Sequence, residues 1–110
     1  MTLTQMRHAK LWFAGSVGNW PLASYELDEL HEGLDDAPLP IPALIETLMA
    51  EPLTQIEKTV AARDHAQFAH AFDAVTEGCN SCHRATNFGF NLVTRPVANP
   101  YSKQAFEPIE

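Results

Sequence analysis

Five consecutive residues, Cys79-Asn80-Ser81-Cys82-His83, hold both cysteines of the chain. On a helical turn, positions 79, 82 and 83 fall on one face, so two thiols and one imidazole converge on a single region. Each thiol can add across one vinyl group of a haem, and the adjacent histidine can reach the iron from the same side, which is the chemistry of covalent haem c attachment. A redox dithiol is the plainer alternative, but thioredoxin-like pairs sit near a strand-helix unit and no strand pattern occurs here. A zinc site would need two further ligands. His65 and His70 are the nearest histidines on the same predicted helix, roughly three or more turns earlier, and they point away from the motif.

The elements that must position this motif read as helices. Residues 2–18 lack proline and repeat apolar side chains at Leu3, Met6, Phe13 and Val17, which predicts a first helix broken at Gly18-Asn19. Asn19 is a good N-cap, with Pro21 in the first turn of a second helix over 20–35. Its buried stripe is Trp20, Ala23, Leu27, Leu30 and Leu34, while Glu26, Asp28, Glu29 and Glu32 take other faces. Three prolines between Ala37 and Pro42 predict an extended connection. A third helix over 41–63 follows, kinked or restarted at Pro52. Asp64, with Gln67 three residues on, predicts an N-cap for a fourth helix over 64–84. Phe68, Phe72, Val75, Cys79 and Cys82 form one stripe of that helix, so whatever the cysteines hold lies against the core. Residues 85–110 carry three prolines and scattered aromatics, and read as an irregular tail packed over one end.

Bulk composition sets further limits. A chain of 110 residues with 45% hydrophobic side chains makes one domain with one core. A net charge of −7 would be repelled by nucleic acid or an anionic membrane surface, and favours a basic protein partner. No apolar run approaches the roughly 20 residues needed to span a bilayer, and no basic segment with a long apolar stretch marks a leader, so the segment reads as mature.

Four amphipathic helices with Cys-x-x-Cys-His near the end of the last resemble the class II cytochromes c, the cytochrome c-prime group. The resemblance covers roughly residues 2–84, and residues 79–83 are its specific part. It implies an all-α antiparallel four-helix bundle, one covalent haem c, thioethers at Cys79 and Cys82, and His83 as the proximal iron ligand. The chain is shorter than that group, and its proline-rich tail extends past the motif.

Function then turns on the sixth iron position, because an occupied site favours electron transfer and an open one favours a small gas. In such a bundle the end of the fourth helix meets the start of the first, at residues 3–12. Met6, His8 and Lys10 are candidates there. Leu11 is the competitor that would cap the iron without binding it, as the apolar distal position of the resembled group does. Met6 and His8 lie about 200° apart around the helix, so only one can face the haem. Arg7 could pair with a propionate. Phe88 and Phe90 could shield the haem edge, while Trp12 and Trp20 read as core residues and His31, His65 and His70 as exposed. Leu11, Trp12, Phe13 and Ala14 are consecutive and cannot all face one core, which suggests a homodimer through this side.

The resulting expectation is a one-electron carrier exported to an oxidising compartment such as the periplasm, where thioether attachment is normally made. Its rival is a nitric oxide or carbon monoxide binding haem protein with an open or weakly ligated iron. An enzymatic role is not expected: no hydrolytic constellation is present, and peroxidase activity would need His8 standing off the metal as acid-base residue.

Overall fold

The computed structural model describes residues 2–36, 41–87 and 89–108, and the side chains of all of these except residues 2, 3, 41 and 42. Four helices follow in order: α1 (Thr2–Ser16), α2 (Trp20–Asp35), α3 (Ile41–Ala61) and α4 (His65–Ala85). No strand occurs among the described residues. The fold is all-α, as the periodicity predicts.

Helix ends differ from the sequence reading by one or two residues, for a backbone reason. Gly18 (φ 75) and Arg63 (φ 53) take left-handed conformations, which turn the chain out of α1 and α3 two residues early. The predicted caps form: Asn19 accepts from the Leu22 N–H and Asp64 from the Gln67 N–H. Helix α3 continues through Pro52 as one element instead of restarting there. Of the extended connection predicted for Ala37 to Pro42, the last two residues begin α3, while residues 37–40, like the side chain of Leu3, lie outside the described residues.

Each helix runs antiparallel to its neighbours. Arg7 meets Glu26 between α1 and α2, His31 meets Glu57 between α2 and α3, and a Cβ at Gly78 would collide with Met49 between α3 and α4. His8 bonds Thr76 midway along the α1–α4 pair, and His65 bonds the Ser16 carbonyl at one end of it. The core is built from Leu27, Leu30, Leu34, Met49, Ile56, Phe68, Phe72 and Val75, joined by Leu11 and Ala14 of α1. The stripes on α2 and α4 are therefore read correctly, with Cys79 and Cys82 half-buried against this core.

One acidic residue departs from the reading. Glu26 is 1% exposed rather than solvated, because the Arg7 guanidinium donates to both of its oxygens at 3.0 and 3.3 Å.

The tail also departs from it. Instead of closing one end, it runs back along the groove where α1 and α4 touch least. Asn80 holds Val93, Arg95 spans Asp73 and Trp12, and Phe106 is buried beside Phe13 with Asn19 donating to its carbonyl. Four apolar residues of α1 are thus accounted for within one chain. Leu11 and Ala14 enter the bundle, whereas Trp12 and Phe13 lie under Arg95, Tyr101 and Phe106. The apolar face that suggested a homodimer is covered by the chain's own tail.

Candidate functional site

Helix α4 brings Cys79 and His83 to its core-facing side within its last two turns, and the antiparallel α1 lays its second turn opposite them. Between the two helices is a cavity of about 30 Å³ walled by Thr4, Gln5 and His8 of α1, Cys79 and His83 of α4, and Asn91 and Val93 of the tail. Of the residues weighed for the sixth iron position, His8 reaches this cavity. Leu11 is fully buried in the bundle core and is not a wall of the cavity. Met6 and Lys10 are half-buried elsewhere on α1, with the Lys10 ammonium over the Tyr101 ring at 4.9 Å. Arg7 is engaged by Glu26, and by Glu29 at 3.9 Å, away from the cavity walls. Phe90 is 84% exposed, unlike the shield expected of it, and Phe88 lies outside the described residues.

His83 is 9% exposed, and its Nδ1 lies 2.6 Å from the Asn91 carbonyl oxygen. A carbonyl cannot donate, so Nδ1 carries the proton and Nε2 keeps the lone pair that a metal would use. Asn80 secures the same stretch of tail: its amide donates to the Val93 carbonyl at 2.9 Å and accepts from the Val93 N–H at 2.7 Å.

His8 is 3% exposed, with its ring 4.4 Å from Phe72. Burial lowers its pKa to about 4, so the imidazole is neutral near pH 7. Its Nε2 lies 2.8 Å from the Thr76 hydroxyl. That hydroxyl already donates to the Phe72 carbonyl, so it accepts from His8, and Nε2 of His8 carries the proton.

Burial also pushes the Cys79 thiol up to about 11, with Cys82 nearby adding to the rise, and raises the Cys82 thiol as well. Both are therefore protonated thiols at neutral pH. A nucleophilic dithiol or a zinc site needs thiolates, usually favoured by a nearby cation or helix N-terminus. Here the cysteines lie at the C-terminal end of α4, and no cation lowers the pKa of either thiol. No cluster of three or more histidine, cysteine or acidic side chains suited to a metal ion occurs among the described residues.

The donor set fits a haem: two thiols one turn apart and an imidazole with Nε2 free. The space between the walls holds about one water, so a macrocycle requires the walls to part.

Sequence reasoning missed Thr76, Asn80, Asn91, Val93 and the buried Glu26. A signal existed for two of them. Thr76 is a polar residue one turn before Cys79 on the inward side, and Asn80 is an amide inside the motif itself. For Asn91 and Val93 the partners are backbone atoms, and side-chain identity gives no sign of them. No family model, curated protein or solved structure matches this chain.

Proposed function

We propose that this chain is a mono-haem c-type cytochrome carrying single electrons, with haem c attached through Cys79 and Cys82, His83 as proximal ligand and His8 as sixth ligand. The supporting observation is that two buried imidazoles from α1 and α4 wall one cavity beside a half-buried thiol. When bound, the haem supplies an iron that accepts one electron on going from ferric to ferrous and returns it to an acceptor.

The chain's own residues do the rest. Cys79 and Cys82 would hold the haem as thioethers, each Sγ–H adding across one vinyl group with its hydrogen going to the other vinyl carbon, so no oxidant would be needed. Burial keeps both sulfurs as the thiols this addition uses. His83 offers Nε2 because its Nδ1 proton is held by Asn91. Phe72, packed against the His8 ring, excludes water beside the site, which helps set the potential. The net charge of −7 suits docking to a basic redox protein, and thioether attachment, normally made outside the cytoplasm, fits an exported, oxidising compartment.

A second reading rests on the Thr76 hydroxyl. It holds Nε2–H of His8, and a histidine so held would stand off the iron as a hydrogen-bond donor to a bound gas.

The optical spectrum of the reduced holoprotein separates these readings. Ligation by His8 gives a low-spin spectrum that carbon monoxide leaves unchanged, and His8→Ala then becomes high-spin and carbon monoxide binding. A wild-type spectrum that shifts at once with the gas overturns ligation by His8 in favour of the second reading. Haem that washes out of the denatured wild-type chain overturns covalent attachment, and with it both readings.

A further inference from the structure

Asn80 occupies an interior position of the haem motif, where attachment itself asks nothing of the side chain. Yet Asn80 is 6% exposed and uses both ends of its amide on a single residue of the tail, the C=O and N–H of Val93, at 2.9 and 2.7 Å. Only a carboxamide offers a donor and an acceptor side by side for this pairing. Two residues earlier in the same segment, the Asn91 carbonyl accepts from Nδ1 of His83 at 2.6 Å. Asn80 and His83 are three positions apart, on one side of the last turns of α4. The side chains of Asn91 and Leu92 face solvent, so packing does little to hold this backbone. The next anchor along the tail is Arg95, on Asp73.

We propose that Asn80 is a positioning residue for the proximal ligand: by clamping Val93 it places the Asn91 carbonyl on His83 Nδ1, which fixes the ring's tautomer and orientation. The inference rests on the cytochrome reading for its consequence at the iron, though the clamp acts in the unloaded chain as well. A carbonyl accepting from Nδ1–H makes the imidazole a stronger electron donor. That favours ferric over ferrous iron and holds the midpoint potential down. Attachment chemistry is untouched by the clamp, so its loss should alter the potential and leave the thioethers in place.

Two variants break the clamp from opposite sides. Asn80→Ala removes the amide, and Val93→Pro removes the N–H that Asn80 accepts while leaving the motif intact. In the apoprotein, ring nitrogen-15 shifts report the His83 tautomer: wild type should be Nδ1–H, and both variants should move to a mixture rich in Nε2–H. In the holoprotein, the ferrous-to-ferric ratio at a fixed ambient potential should rise about tenfold, equivalent to a midpoint shift of about +59 mV for one electron. Covalent haem content should stay unchanged. If Asn80→Ala does not fold, Val93→Pro carries both measurements. Wild-type tautomer in a folded variant overturns the clamp, whatever the haem does. A shifted tautomer with an unchanged potential overturns its effect on the iron. A tautomer shifted in the variants, together with a wild-type chain that takes up no covalent haem, leaves the clamp standing and overturns the cytochrome reading instead.

Discussion

On the α4 side of the cavity, Cys79 and His83 belong to a helix end that is stitched to the tail: Asn80 takes both polar groups of Val93, and His83 bonds the Asn91 carbonyl. On the α1 side, His8 is held by the Thr76 hydroxyl and by contact with Phe72. The Arg7–Glu26 pair ties that end of α1 to α2 and not to α4. The two walls thus differ in kind. Directional bonds define the proximal wall, and packing plus one directional bond defines the distal wall. If a macrocycle is to enter a space of about 30 Å³, the α1 wall is the one whose interactions are fewest to break.

The largest test of this difference is Phe72→Ala. The ring is fully buried, 4.4 Å from His8, 5.0 Å from Trp12 and 6.0 Å from Phe68. Its loss should lower stability by about 3–5 kcal/mol. Water admitted beside His8 should also return that imidazole's pKa upward, while the Asn80–Val93 clamp persists. Urea unfolding and an NMR titration of His8 in the apoprotein measure both. A cost below about 1 kcal/mol would mean that packing does not define the distal wall.

Acid gives a test of intermediate size. His8 has a pKa of about 4 in the folded chain against 6.5 in the unfolded one. Above pH 6.5 both states hold it neutral and stability does not change with pH on its account. Between pH 6.5 and 4 the unfolded state binds the proton and the folded state does not, so stability falls as pH falls. The full loss is about 3 kcal/mol, at 1.36 kcal/mol per pKa unit. Subtracting the stability–pH curve of His8→Leu from that of wild-type apoprotein isolates this contribution from the carboxylates. A flat difference between pH 7 and 4 would contradict the buried, neutral imidazole.

These two walls were not equally legible in the sequence. The stripe Phe68, Phe72, Val75, Cys79, Cys82 needs nothing but helical period and side-chain type, because a helix that buries one face must repeat in threes and fours. The helix caps at Asn19 and Asp64 are local for the same reason. His8 could be singled out as a candidate but not preferred over Met6 or Leu11. All three lie on one helix, and the choice depends on how α1 rotates against α4. That rotation is set by fits such as Gly15 beneath the Phe68 ring, which involve residues distant in sequence. Arg7 is a different case. A charged residue near the expected haem suggested a propionate, whereas its partner is Glu26, a residue whose burial follows from the pairing and not from its own polarity. The tail was least legible, since its contacts to α4 run through backbone atoms and follow no period.

The smallest effect is expected midway along the tail. Arg95 donates to both oxygens of Asp73, at 2.8 and 2.6 Å, and its guanidinium lies 4.7 Å from the centre of the Trp12 ring. Both partners of the ion pair are about half-exposed, so water and salt weaken it. Arg95→Gln should leave the urea midpoint of the bundle nearly unchanged, yet speed amide exchange over residues 94–101 and alter the Trp12 fluorescence. Arg95→Lys should fall between, because it keeps the charge but not the planar fork that meets a carboxylate and a ring together. Raising the salt concentration should shrink the difference between wild type and both variants. If Arg95→Gln instead lowered stability as far as Phe72→Ala does, the tail would be part of the cooperative bundle. The proximal wall would then owe its order to the whole length of the tail, and not to the bonds at Asn80 and His83.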